Sequence, residues 1–324
     1  MIEIKKFTAT DKEFKELARI DNLVNHDSIN HPDEDKREWS IRDKNIIRNR
    51  LLLYKDNILI GALYYSQGRD ENSKTAFYTL NLDPNYDNKG FRKLLYDKML
   101  IEVKNFNCDL IHTSIYDHPN YNEHKKLLEK ENFKLVQTNR EYSCDITKIN
   151  LKKYASLIIK LENDGIKFYD SKEEMVKNDE KFPNHFKKLE ELEWTIEQDI
   201  PIPDDIKHTR LPYDYWLKLC HDFYDNSYGI DIVAVYKKQY IASTDIGINQ
   251  SEPHKGWTGS LGVLRDFRRK GIATAIKIKA IEKLLEKGVT ELRTDNEKNN
   301  PMYKINIALG FKAVPFSLDY SKKI

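Results

Sequence analysis

Val263-Leu264-Arg265-Asp266-Phe267-Arg268-Arg269-Lys270-Gly271-Ile272-Ala273 is the stretch on which the reading of this chain turns. A strand is expected to end near Leu264, a basic loop to turn through Gly271, and a helix to begin at once with Ile272 and Ala273. The unpaired N–H groups of such a loop and of the first helical turn converge on one spot, and the helix dipole makes that spot positive. It is therefore an anion site. Gly271 gives the backbone room to approach a ligand, Ala273 keeps the first turn slim, and Arg268, Arg269 and Lys270 add formal charge beside it. A pyrophosphate matches several donors arrayed over two turns.

Ahead of this loop, IDIVAVY (230–236) and YIASTDIGI (240–248) read as two antiparallel strands joined through Lys237, Lys238 and Gln239, followed by the extended segment 254–264. Ala273, Ile276, Ala280, Ile281 and Leu284 then fall at helical spacing, with Gly288 as the expected C-cap. The first half repeats this order. Its hairpin is 51–55 and 58–66, its extended segment 75–83, and its helix carries Phe91, Leu95, Met99 and Val103 at steps of four. About 180 residues separate Gly90 from Gly271 and Phe133 from Phe311, a near-constant offset that indicates a duplication. The expected fold is therefore α/β (α+β): two tandem domains, 1–148 and 149–324, each a mixed, mostly antiparallel sheet flanked by helices. A helix over 151–165 and a strand over 165–170 are expected to open the second.

Composition sets the outer limits. Lys+Arg 54 against Asp+Glu 52 leaves a net charge of +2, so no general affinity for nucleic acid follows. A hydrophobic fraction of 40% is enough for packed cores. The 3 cysteines are too few and too scattered for a disulfide framework or a structural zinc site. With no apolar run near the ~20 residues that span a bilayer, the expectation is a cytoplasmic protein without a membrane or a metal.

The motif resembles the GCN5-related N-acetyltransferase (GNAT) superfamily. In that family the loop gripping the pyrophosphate of acetyl-CoA reads Val-x-x-x-x-Arg/Gln-x-x-Gly-x-Gly/Ala, here Val263, Arg268, Gly271 and Ala273. Downstream, Thr294, Asn296, NNPMYKIN (299–306) and Leu309-Gly310-Phe311 are similar to a group of bacterial two-domain members. The resemblance implies acetyl transfer from acetyl-CoA to a primary amine, of a small molecule in preference to a protein, by direct attack in a ternary complex. The implied cofactor contacts are Val263, Leu264, Arg268 to Thr274, and Asn296 with Asn299 or Asn300. Ile272, Ala273 and Thr274 form the first helical turn of that set.

For proton removal from the ammonium the resemblance points to a carboxylate, with Asp245 as first candidate and Glu193 and Glu197 as others. Val263, with neighbouring Leu264, is the expected donor to the thioester oxygen. Many family members place a tyrosine where this chain has Asn306; Asn306 and Tyr303 are the residues nominated near the leaving thiolate. In the first half Asp87 stands where Arg or Gln is expected and Arg92 where a small residue is expected, so weak or no cofactor binding is expected there. The segment DIPIPDD (199–205) reads as an acidic loop beside the substrate entrance. Two rival readings are a coenzyme-A-binding sensor without turnover and a protein or peptide N-acetyltransferase.

Overall fold

The computed structural model describes residues 1–25, 27–226, 229–297, 299–300 and 302–324, together with the backbone but not the side chains of Asn88 and Asn226. Lys298 and Pro301 of the downstream motif lie outside the described residues. In chain order the elements are β1 (Ile2–Lys6), α1 (Asp11–Val24), α2 (Pro32–Ile41), β2 (Arg48–Lys55), β3 (Ile58–Gln67), β4 (Thr75–Leu82), α3 (Phe91–Lys104), β5 (Leu110–Tyr116), α4 (Asn122–Lys130) and β6 (Lys134–Asp145). They continue with α5 (Ala155–Asn163), β7 (Ile166–Asp170), α6 (His185–Glu197), α7 (Tyr213–Asn226), β8 (Ile230–Tyr236), β9 (Gln239–Ile248) and β10 (Lys255–Val263). The last are α8 (Ile272–Glu286), β11 (Glu291–Glu297), α9 (Tyr303–Ala308), β12 (Lys312–Ala313) and β13 (Ser317–Lys323).

Two compact units result. The first comprises Met1–Arg140, Ile202–Thr209 and Pro315–Ile324, the second Glu141–Pro201 and Arg210–Val314. These units interleave where contiguous ranges 1–148 and 149–324 were expected. The reason lies in strand pairing. β13, the last strand of the second half, finds its partners in the first unit, running antiparallel to β5 and to the start of β6. The end of β6 belongs to the second unit, where Tyr142 and Ser143 pair with β12. A strand edge left open is a liability, and each half closes one with a segment from the other half of the sequence.

Within the second unit β7, β8, β9 and β10 are antiparallel neighbours, and β11 joins β10 in parallel. The β10–β11 pairing covers only Lys255–Trp257 against Glu291–Arg293, after which the two strands part. α8 buries Ile272, Ala275, Ile276, Ile278, Ala280, Ile281 and Leu284 on one face of this sheet. On the other face Leu189, Leu192 and Ile196 of α6 pack with Val233, Val235 and Tyr240. Period-2 alternation in β8 thus sends Ile230, Ile232 and Ala234 to α8 and Asp231, Val233 and Val235 to α6.

The β8–β9 turn is shorter than the sequence suggests. Gln239 is already in β9, and Lys237 and Lys238 carry φ +46 and +69. Two left-handed residues match the twist of the strands, a geometry that favours Asn-Gly over Lys-Lys. Replacing Lys237-Lys238 by Asn-Gly is expected to raise stability by roughly 0.5–1 kcal/mol, measured by urea unfolding.

Candidate active site

The expected strand–loop–helix arrangement is present. β10 ends at Val263, a short turn runs over Arg265–Phe267, and α8 starts after Gly271, which is left-handed at φ +86, ψ +4. No side chain caps α8, so its first-turn amides at Ile272, Ala273 and Thr274 keep no side-chain partner. Arg269 is also left-handed, at φ +65, which curves the loop backbone. This uncapped turn is the observation that fits a diphosphate-bearing cofactor. Gly271 has a second constraint that sequence alone does not reveal: a Cβ there would meet Leu157 of α5 at 2.8 Å.

Two expected contacts change role. Leu264 donates its N–H to the Ile241 carbonyl of β9 at 2.9 Å and is not a free donor. Alternation along the strand therefore turns the Val263 N–H away from β9, into the gap where β10 and β11 part. The Val263 carbonyl on that same side accepts from Arg268 Nε at 2.8 Å. Arg268 also pairs with Asp199, as does Arg265, so its guanidinium braces the end of β10. Arg265, ahead of Arg268, holds the Asp199 carboxyl below the usual range. Asp199, from the acidic segment 199–205, thus partly neutralises the loop, while Lys270 lies exposed over the Phe267 ring. A cavity of about 400 Å³ is lined by Thr195, Asp199, Val263, Leu264, Arg265 and Arg268 among others.

Of the three candidate asparagines, Asn299 and Asn300 are spent on their own loop. Asn299 bonds the Glu297 carboxylate through its backbone and side-chain nitrogens, and Asn300 Oδ1 accepts from Met302 N–H. Asn296 instead receives a bond from Asn306 Nδ2 at 2.8 Å. Asn306 is buried, and Lys277 Nζ donates to its Oδ1 at 2.6 Å, so both ends of this amide are engaged. Its expected place beside a thiolate gives way to a supporting one. Tyr303, at the start of α9, packs half-buried against the core formed with α8.

On the opposite face of the sheet Asp245, Glu193 of α6 and Asp231 form a cluster of three carboxyl groups beside α7. Asp245 was expected, and β9 does carry it there, but its Oδ1 accepts from the Ser260 amide at 2.9 Å and from the Ser260 hydroxyl, which ties it to the β10 bulge between Thr258 and Ser260. Glu193 of α6 accepts from Trp216 Nε1 at 2.8 Å, and burial, reinforced by Asp231 and Asp245, pushes it up to about 8. Glu197, one turn further along α6, lies in its last turn.

The third is Asp231, which sequence reasoning missed. It sits directly across the β8–β9 ladder from Asp245, is 3% exposed, and is pushed by burial to about 7. Its Oδ1 has no hydrogen-bond partner, a costly condition for a buried carboxyl oxygen. The signal available in the sequence was two aspartates in register on the arms of one hairpin, where like charges repel.

A chain of hydrogen bonds ends on the other oxygen of Asp231. Tyr224 OH donates to Oδ2 at 2.7 Å, Ser171 Oγ lies 2.5 Å from Tyr224 OH, His185 Nε2 lies 2.8 Å from Ser171 Oγ, and Tyr240 OH lies 3.0 Å from His185 Nδ1. Proton counting fixes the direction. The one Tyr224 proton goes to Asp231, so Ser171 donates to Tyr224, and His185 must then donate from Nε2. Burial holds His185 down at about 4, hence neutral with a single N–H, and Nδ1 accepts from Tyr240. Every donor points toward Asp231.

The matching loop of the first unit shares the left-handed glycine before its helix, but Pro84–Lys89 form one continuous 3-10 turn where the second unit has only Arg265–Phe267, and its chemistry differs. Gly90 lies at φ +76, ψ +3, close to Gly271. Arg92 is buried, forms a two-pronged pair with Asp87 and donates to the Leu80 carbonyl at 3.2 Å. Arg92 is thus consumed internally and does not point to a phosphate. His112 bonds Asp205 at 3.0 Å in this same unit.

A family model described as "Acetyltransferase (GNAT) family" matches residues 186–307. That segment is a GNAT domain. The whole chain has the tandem GNAT fold. A tandem GNAT protein from the clavulanic acid biosynthesis pathway superposes with TM-score 0.78 at 13% identity, over 100% of this chain and 98% of the other. A GCN5-related N-acetyltransferase from Sphaerobacter thermophilus gives 0.67 at 14%, over 99% and 95%. A GCN5-related glucosamine N-acetyltransferase region of a fungal multi-domain β-N-acetylglucosaminidase gives 0.71 at 15%, over 99% of this chain and 38% of that protein. At such identities the likeness is one of fold. No curated protein sequence matches the chain. The GNAT match over this segment supports the general class, acyl transfer from an acyl-CoA. Among the described residues no helix is long and apolar enough to cross a membrane.

Proposed function

We propose that this protein is an acetyl-CoA-dependent N-acetyltransferase for a primary aliphatic amine of a small molecule, with donor and acceptor sites both in the second unit. The observation that carries the reading is the unpartnered, buried Asp231 Oδ1, on the α6 and α7 face of the sheet that also bears the β10–β11 gap. An amine arrives at neutral pH mostly as ammonium, which has three donors, and Asp231 Oδ1 offers it an acceptor on the face that also carries Asp245 and Glu193.

Bound acetyl-CoA would supply the activated acyl group. The α8 first turn would hold its diphosphate, and Asn296 would meet its pantetheine arm. Val263 N–H offers a fixed donor in the gap, where negative charge on a carbonyl oxygen is stabilised best if the donor is already oriented. Asp231 receives the ammonium proton at Oδ1, while the chain from Tyr240 to Tyr224 solvates the other oxygen. The first unit, with its Arg92–Asp87 pair, is proposed to bind no coenzyme A.

The test is to incubate the purified protein with acetyl-CoA and a panel of aliphatic diamines, amino sugars including glucosamine, and amino acids, following free thiol. Thiol release that depends on one amine is expected. Coenzyme A binding without turnover on any amine would overturn catalysis in favour of a sensor, and turnover only on peptides would overturn the small-molecule assignment.

A further inference from the structure

Lys277 is the residue in the second unit that neither the fold nor the proposed reaction explains. It lies in the middle of α8, is 3% exposed, and makes no ion pair among the described residues. A buried ammonium without a carboxylate is unfavourable unless something specific holds it. Here the holders are Asn306 Oδ1 at 2.6 Å and the Phe311 ring at 4.6 Å. From Asn306 the contact continues to Asn296 Oδ1, and Asn296 is half-buried where β11 has left β10. Three side chains from α8, α9 and β11 thus form one line leading from a buried amine to the edge of the gap.

The line has a direction, and the lysine decides it. An ammonium can only donate, so Asn306 must turn its oxygen to Lys277 and its NH₂ to Asn296 Oδ1. Asn296 then presents its own NH₂ outward. A neutral amine can accept, and the line can then reverse: Asn306 Nδ2 donates to Nζ, Asn296 Nδ2 donates to Asn306 Oδ1, and Asn296 turns its oxygen outward. The structure has the first direction.

We propose that Lys277 is a positioning residue whose proton sets the polarity of the Asn306–Asn296 pair, so that Asn296 offers a donor to a carbonyl of the pantetheine arm when Lys277 is charged. This rests on the reading of the second unit as the coenzyme A site. Burial lowers Lys277 to about 7, so the two directions exchange near neutral pH. The titratable group beside it is the Cys144 thiol at the end of β6, which burial raises and so keeps neutral across this range, adding no charge to Lys277; Asp145 and Lys312 act on that thiol in turn.

The experiment is calorimetric titration of coenzyme A, which carries no acyl group and undergoes no turnover, into the full chain and its Lys277→Met and Lys277→Arg variants at pH 6 and pH 8.5. Ionisations of coenzyme A itself are common to all three proteins, so the ratio between proteins isolates the lysine. Relative to Lys277→Met, the wild type is expected to bind about tenfold tighter at pH 6, the worth of one oriented hydrogen bond, and to lose most of that advantage at pH 8.5. Lys277→Arg, which stays charged, is expected to keep the tight binding at both pH values. Should Lys277→Met fail to fold, Lys277→Gln takes its place. The same pH dependence in the wild type and the uncharged variant would overturn the proposal. Wild-type protein that binds no coenzyme A at either pH would overturn the cofactor reading, and this proposal with it.

Discussion

Asp231→Asn is expected to lower amine-dependent thiol release by about 10²–10⁴-fold while leaving coenzyme A affinity within about twofold. The substitution keeps the shape and one acceptor but removes the group that can take a proton at Oδ1. The Tyr240–His185–Ser171–Tyr224 chain still has a carbonyl oxygen to point at, so the local fold should persist. A loss of cofactor affinity equal to the loss of rate would mean that Asp231 is structural.

Two pH signatures accompany this result. The accepting form of Asp231 is the carboxylate, so wild-type activity should rise as pH passes upward through about 7. The stability effect has the opposite sign. An unfolded aspartate releases its proton near 4, whereas folded Asp231 holds it to about 7, so the native state binds the extra proton and loses stability as pH rises between those values. In Asp231→Asn this part of the decline should be absent, leaving smaller contributions from Asp245 and from Glu193, whose raised value owes part to Asp231 and falls toward normal without it. Thermal melts of both proteins from pH 4 to 8 measure the difference.

Gly271→Asp should weaken coenzyme A binding by about 100-fold or more, because a carboxylate beside the first turn of α8 opposes a diphosphate held by the same amides. Part of any effect there is mechanical: residue 271 is left-handed and a Cβ approaches Leu157. Gly271→Ala carries that strain without the charge, so the ratio of Asp to Ala affinities isolates the electrostatic part. Gly90→Asp, at the matching position with nothing within 4 Å of its Cβ, should leave affinity unchanged. Calorimetry on the three variants decides the matter. A larger effect at residue 90 would move the cofactor to the first unit.

The strand–loop–helix turn at Val263–Thr274 was legible in the sequence because its causes are local. A glycine forced to positive φ, the periodicity of α8 and the alternation of β8 and β9 all act within a few residues. Other features depended on partners far along the chain. Arg268 reads as a phosphate ligand until Asp199 is brought to it, and Leu264 reads as a donor until Ile241 takes its N–H. Asn296, Asn299 and Asn300 are equivalent in the sequence, and only the arrival of Lys277 and Asn306 separates the first from the others. Asp231 was missed for the same reason: an aspartate in an apolar strand carries no sign of which oxygen will find a donor.

By itself, then, the sequence determined the hairpins and helices around the two glycine turns, their duplicated order and the amide-rich turn before α8, since short-range sterics and periodicity are written in adjacent residues. Tertiary structure alone decided which strands close which unit, which charges cancel, and that Asp231 and Lys277 lie buried with unusual proton affinities. Burial and pairing are properties of residues distant in the chain and near in space, and no local pattern encodes the solvent that folding removes.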